Sequence, residues 1–385
     1  MPSPQTLLLA SYGGRITDNL IADFGDYAAE CDAFDHGLCL ADAADFGLLR
    51  VSGADAASFL HNQLSTNVSA LTPGQGQYST YNSPKGRMLA SLFLWRDTLP
   101  SLPLAEEDSL PFKGRAGAGM GLARPFTEEG APVFFLLLAA DLAETVRKRL
   151  SMYVLRARVT LEDVSASCAF LGLCGVDVPV SAPACLGLNA LPPPRHVQTQ
   201  GDITVAALSP ARLLLILPSE TLSELWHKLS QRARPAGRHL WRRAAILDGI
   251  PWITAATADR LIPQSTNWDA LGGLDFQKGC YPGQEIIART RYLGRTKERL
   301  YPAHCDEPTV FPSATPLYSP AFGEQACGLV VNAAPDRQGQ IMLASFQTTA
   351  ADGPIHVARP DGPVLTLLPL PYELPADETP NRVKL

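Results

Sequence analysis

Residues 275–285 read DFQKGCYPGQE. One cysteine, Cys280, stands between a lysine-glycine step and a tyrosine-proline-glycine turn, and an amide and a carboxylate follow at once. Gly279, Pro282 and Gly283 punctuate a turn. Gln284 and Glu285, with Ile286, Ile287 and Thr290 after them, open a helix in which Glu285 precedes Arg289 by four residues, a favourable pairing. Cys280 therefore falls just before a helix start, where unpaired N–H groups and the helix dipole favour an anion, and Lys278 is two residues away. Both influences favour a thiolate, so a reactive thiol is expected. The plain alternative is a small buried hydrophobe in a shaped turn. The crowd of Lys, Gln and Glu, which a buried loop would have to satisfy, weighs toward function.

Working outward, Phe46 to Val51 reads as a strand, and Gly53-Ala54-Asp55 opens a helix carrying Ala56, Phe59, Leu60 and Leu64 on one face. Gln77 to Asn82 and Met88 to Trp95 form a hairpin around Ser83-Pro84-Lys85-Gly86. Residues 97–132 are rich in Gly, Pro and charge without a sustained period, which predicts a mobile insertion. Val133 to Leu138 reads as a buried strand, Asp141 to Leu150 as an amphipathic helix with a basic last turn, and Ala169 to Leu173 as a further strand. Residues 176–195 are proline-rich and expected to be irregular. Strands at Thr204 to Leu208 and Arg212 to Leu217 and a helix at Thr221 to Arg232 come next. Beyond Arg299 only short strands separated by Pro and Gly remain, and the last residues read as a loose tail. Mixed strands and helices without a repeated βα unit indicate an α+β fold.

The whole chain has 385 residues, 46% apolar and 18% charged, and a net charge of −6. That length favours more than one core, and the acidic balance excludes a surface wholly given to nucleic acid. Neither a basic leader nor a cleavage pattern accompanies the LLLASYGG run near the start, and the apolar run Val133 to Ala140 is too short to span a bilayer, so no membrane association and a cytoplasmic location are expected. Cys31, Cys39, Cys168, Cys174, Cys185, Cys280, Cys305 and Cys327 show no C-x-x-C spacing and read as free thiols. No histidine stands at metal-ligand spacing, and no metal is expected.

KGCYPGQE resembles the signature of the YgfZ family, folate-binding proteins related to the aminomethyltransferase (T-protein) of the glycine cleavage system and implicated in iron-sulfur protein maintenance and tRNA modification. PQSTNWD at 263–269, ARTRYLGR at 288–295, RRAAILDGIPWI at 242–253, VSGADAASFLHNQLSTNVSAL at 51–71 and NSPKGRMLASLFLW at 82–95 are similar to further family segments. The resemblance implies an aminomethyltransferase-like folate-binding fold. Two interwoven α+β parts would occupy residues 1–299 and a C-terminal β-barrel residues 300–385, with a folate pocket near the centre. It also implies tetrahydrofolate or a derivative as cofactor, and Lys278 and Cys280 at the functional site.

A pterin needs apolar walls with a few placed polar groups, and its glutamate tail needs cations. Asn82, Gln264, Asn267, Gln284 and Glu285 are candidate polar contacts, Arg289 and Arg291 candidates for the tail, and Tyr281 and Gly283 complete the cofactor set. Asn82 serving only a turn, and Arg289 only Glu285, are the plain alternatives. Related aminomethyltransferases carry an Asp-Asp pair after the hairpin glycine, where this chain has Ala90-Ser91, which leaves ordinary transferase activity in doubt. The run Arg289, Arg291, Arg295, Lys297, Arg299 is either a solvated face or a docking surface for tRNA or a client enzyme.

Three functions compete. The first is a folate-binding protein that supports assembly or repair of iron-sulfur clusters in client enzymes, including tRNA-modifying enzymes, through Cys280. The second is a folate-dependent one-carbon transferase that uses another acid. The third is an adaptor that binds RNA or protein through the basic run.

Overall fold

A computed structural model describes residues 2–97, 130–292 and 296–375. Most of the insertion expected near 97–132, residues 293–295 of the basic stretch and the end of the tail lie outside the described residues. Three large sheets organise the described residues, beside a two-stranded one, Arg15–Thr17 with Leu20–Asp23. In the first, five antiparallel strands run in the order Gly76–Asn82, Met88–Arg96, Val133–Ala139, Phe46–Ser52, Thr160–Asp163. The second has six strands, ordered Val197–Gln200, Ile203–Ser209, Arg212–Pro218, Cys168–Cys174, Cys39–Asp42, Arg234–Ala236, with only the last pair parallel.

The chain thus enters the second sheet at Cys39–Asp42, builds the first, and returns, so the two are interwoven. Strands Phe46–Ser52, Cys168–Cys174 and Arg212–Pro218 are buried along their whole length. Cover on both faces explains why they read as continuous apolar runs rather than alternating ones. The third sheet is antiparallel and curled as a half-barrel, ordered His356–Val357, Pro316–Tyr318, Ala326–Pro335, Gln340–Gln347, Glu298–Cys305, Thr366–Leu367.

Helix Arg238–Leu247 and the GIPWI segment after it tie these layers together. Gly172 has no side chain because the Trp241 ring lies where one would go, with Cε3 2.3 Å from an ideal Cβ. Arg243 reaches Asp336 at 2.8 Å. The main chain of Trp252 exchanges two hydrogen bonds with the Asn332 amide, at 2.9 and 2.8 Å.

The stretch expected to be irregular near 176–195 contains a helix, Val178–Leu186. Pro179 sits in its first turn, where a missing N–H costs nothing, Pro183 lies inside it, and Gly187 ends it in the left-handed conformation; residues 187–195, with Pro192 to Pro194, are irregular as expected.

Candidate functional site

Loop 275–283 is held at both ends by the first sheet's surroundings. Asp275 donates its N–H to the Ser65 carbonyl at 2.9 Å. Its carboxylate accepts from the N–H groups of Gln277 and Lys278 at 2.8 and 3.1 Å, which fixes the turn. The Lys278 ammonium is 8% exposed and donates to the carbonyls of His61, Leu64 and Thr66, the last two at 2.6 and 3.1 Å. These groups close the C-terminal end of helix Ala56–Gln63, where unpaired carbonyls and the dipole attract a cation. Burial pushes this ammonium down to about 8, with Asp275 opposing. Lys278 also lies 5.1 Å from the centre of the Tyr281 ring.

The two glycine turns of the sequence meet backbone to backbone. Gly283, at φ 79°, would place a Cβ 2.5 Å from the Ser83 carbonyl oxygen and 2.6 Å from Gly86 Cα. Gly86, at φ 71°, would place one 2.9 Å from Ile286 Cβ. Both positions demand glycine twice over, for left-handed backbone and for close approach. Helix Gln284–Tyr292 then begins four residues past Cys280.

Cys280 is exposed, whereas the other seven cysteines are buried. Burial pushes every one of those seven thiols up, Cys39 and Cys168 to about 12. The loop therefore presents one thiol to solvent and the fold sequesters the rest.

The candidate cofactor residues divide into three groups. Asn82, Gln264 and Tyr281 are nearly fully buried, and Asn82 Oδ1, Gln264 Oε1 and Tyr281 Oη have no hydrogen-bond partner. They sit in the seam between the hairpin turn and the thiol loop: the Gln264 amide donates to the Ile287 carbonyl at 2.7 Å, and Asn82 donates to Thr80 at 2.9 Å. Asn267, in contrast, has both ends of its amide engaged with Leu300, at 2.8 and 3.2 Å, joining this region to the third sheet. Gln284 turns back to the Lys278 carbonyl at 3.4 Å. Glu285 and Arg289 form an exposed ion pair at 3.0 Å, and the Arg291 guanidinium lies 4.5 Å from the centre of the Phe276 ring.

The basic run does not make one face. Arg299 is buried and pairs with Asp269 at 2.8 Å, and Arg295 is outside the described residues. At the expected acid positions, Ala90 is buried and the Ser91 hydroxyl accepts the Ile253 N–H at 2.9 Å.

A cavity of about 390 Å³ opens between the first sheet, the third sheet and helix Arg238–Leu247, lined among others by Asp45, Phe46, Trp241, Arg242, Trp252 and Asn332. None of the cofactor candidates lines it. Its aromatic walls include Phe46 and Trp252, packed edge to face with centres 4.7 Å apart. Arg242 holds Asp45 through two bonds of 2.6 Å. Burial works against the Asp45 carboxylate, but Arg242 outweighs it and keeps its pKa low. Asp42 behind it is fully buried, and there burial prevails over Arg238 and raises the pKa. Of the three arginines in RHLWRRAAIL, Arg238 and Arg242 line this cavity while Arg243 pairs with Asp336, and no local pattern marks the cavity because its walls come from segments distant in sequence.

The chain is 29% identical to the protein named tRNA-modifying protein YgfZ of Yersinia pestis (strain Pestoides F) over 348 residues, covering 89% of this chain and 94% of that protein. A protein of the same name from Yersinia enterocolitica is 29% identical over 358 residues. The chain is a homologue of the YgfZ proteins. Its fold is that of the glycine cleavage system aminomethyltransferase T from Bartonella henselae, with a TM-score of 0.73 at 14% identity, covering 96% of this chain and 97% of that one. No protein-family model matches. Within this YgfZ-like chain, Lys278 and the two facing glycines hold the loop on which the Cys280 thiol is exposed.

Proposed function

We propose that this protein binds a folate and supports assembly or repair of iron-sulfur clusters in client enzymes, among them enzymes that modify tRNA, with Cys280 as its working thiol. The observation that carries this reading is the exposure of Cys280 against the burial of the other seven cysteines. A thiol needed only for packing would be expected among the buried ones. The relatives' name supports the link to tRNA modification.

Folate is assigned to the cavity where the sheets meet. Its volume lies within the usual range for small-molecule sites, and its walls fit such a ligand. Phe46, Trp241 and Trp252 offer faces for a pterin, and the Trp252 indole N–H is buried without an acceptor. Arg242 is partly exposed and can be shared with a carboxylate tail. Asn82, Gln264 and Tyr281 keep unpaired polar atoms beside the thiol loop and remain candidates for contact with the bound molecule or with ordered water. A bound folate would supply a one-carbon carrier; the protein's part is to hold it in an aromatic enclosure and to display the thiol. The buried methyl of Ala90, and the Ser91 hydroxyl already engaged with Ile253, favour this reading over ordinary aminomethyl transfer.

The test is replacement of the chain by Cys280→Ala in cells that depend on it, with client activity and tRNA modification as readouts. Loss of both with an unchanged melting temperature is expected. Full client activity in that variant removes the proposal.

A further inference from the structure

The connection between helix Ala143–Ser151 and strand Thr160–Asp163 combines charge with exposed apolar surface. Residues 147–158 read RKRLSMYVLRAR, five cations and no acid in a chain of net charge −6. Met152, Tyr153 and Leu155 are 65%, 47% and 88% exposed. Leu155 has a φ of 45°, a left-handed conformation that a leucine adopts only at a cost.

The loop is nonetheless firmly anchored. Arg158 donates its N–H to Asp55 at 2.8 Å and accepts from the Asp55 N–H at 3.3 Å, and Ala157 donates to the Val154 carbonyl at 2.7 Å. Gly53 leaves room for it, since a Cβ there would fall 2.1 Å from the Arg158 carbonyl oxygen. A fixed loop that holds a leucine in solvent at a backbone cost is shaped for something that covers it.

Several of its cations are available to an anion. Arg147 and Lys148 share Glu144 at the surface, at 2.8 and 3.1 Å, and Arg158 lies 3.6 Å from Asp55. Such exposed pairs are worth little and yield readily to a phosphate. Arg156 is exposed and makes no ion pair among the described residues.

We propose that this loop docks single-stranded RNA, with the cations on phosphates and Tyr153, Leu155 and Met152 against unstacked bases. Two clusters of cations, Arg147 to Arg149 and Arg156 with Arg158, flank the exposed Met152, Tyr153 and Leu155, so phosphates can be held on either side while unstacked bases lie on the aromatic and apolar side chains between them.

The location suits this role. Helix Ala56–Gln63 runs from Asp55, which holds Arg158, to the carbonyls that hold Lys278. Eight residues of helix span roughly 12 Å, so docked RNA would lie about one short helix away from the signature loop. The inference does not depend on folate or on the thiol.

The test is fluorescence anisotropy of the full chain with an oligouridine and with an unmodified tRNA transcript, at two salt concentrations. Lys148→Glu combined with Arg156→Glu is expected to weaken binding at least about tenfold and to flatten the logarithmic salt slope by roughly 1.4, two phosphate contacts on a single strand. Tyr153→Ala is expected to weaken it roughly tenfold, as loss of one stacked base does. Arg359→Glu, an exposed charge reversal elsewhere, should leave it unchanged. Absence of RNA binding, equal loss in the Arg359 control, or a loop that binds phosphatidylserine vesicles and not RNA overturns the proposal. If RNA binding is absent while Cys280→Ala still abolishes client support, this inference falls and the thiol reading stands.

Discussion

Replacing Gly283 by alanine tests whether the thiol platform depends on contact between the two glycine turns. The new methyl would stand 2.5 Å from the Ser83 carbonyl oxygen and 2.8 Å from the Gly86 nitrogen, main-chain atoms that cannot swing aside. A left-handed φ adds roughly 1–2 kcal/mol for any residue with a Cβ, and forcing a methyl into a filled space about 1–3 kcal/mol more. The sum, about 2–5 kcal/mol, is a large part of the ~5–15 kcal/mol that holds a typical protein folded.

Gly86→Ala carries the same backbone cost, but its methyl meets Ile286 Cβ at 2.9 Å and the Gly283 carbonyl oxygen at 3.3 Å, a milder overlap than the main-chain contacts of 2.5 to 2.8 Å at Gly283. Gly279→Ala meets only His61 Nε2 at 3.9 Å and should be close to neutral. The expected order of melting temperatures is therefore Gly279→Ala, then Gly86→Ala, then Gly283→Ala, the last lowered by roughly 2–6 °C in a chain of this length. Calorimetry reads the order, and the alkylation rate of Cys280 reports whether the loop has shifted. If Gly283→Ala melts with the wild type and its thiol reacts at the same rate, the two turns are not in the contact described and the reasoning fails.

Native protein treated with iodoacetamide should gain one adduct, on Cys280, and eight after unfolding; mass spectrometry that finds Cys31, Cys39 or Cys174 labelled in the native state would contradict the burial pattern. Lys278 should leave a pH signature. Its folded ammonium, pushed down to about 8 from 10.5, loses its proton before the unfolded chain does, so unfolding free energy should rise between pH 8 and 10.5, by at most about 3 kcal/mol. Denaturation of Lys278→Met should lack this rise; an identical pH profile would show that Lys278 is not its source. Trp252→Leu should weaken tetrahydrofolate binding about tenfold or more, followed by quenching of the remaining tryptophans, and unchanged affinity would exclude the cavity as the folate site.

The signature stretch announced its own local structure. Gly279, Pro282 and Gly283 are turn formers whatever surrounds them, and Glu285 with Arg289 four residues later could be read as a surface pair, which the 3.0 Å contact is. The hairpin strands were equally legible, because two β-prone runs joined by a Ser-Pro-Lys-Gly turn are a local property. Which cysteine faces solvent was not legible: Cys174 and Cys280 are the same side chain, and only the covering of strand Cys168–Cys174 on both faces separates them. Lys278 read as a cation for the thiol; the fold brings to it three carbonyls from more than two hundred residues earlier, and its ammonium is held by them. The cavity between the sheets and the stranded apolar loop at 152–155 were likewise decided by tertiary structure. Spacing along a chain reports what a residue does to its neighbours within a turn or two, whereas burial, enclosure and exposure are set by segments far away in sequence.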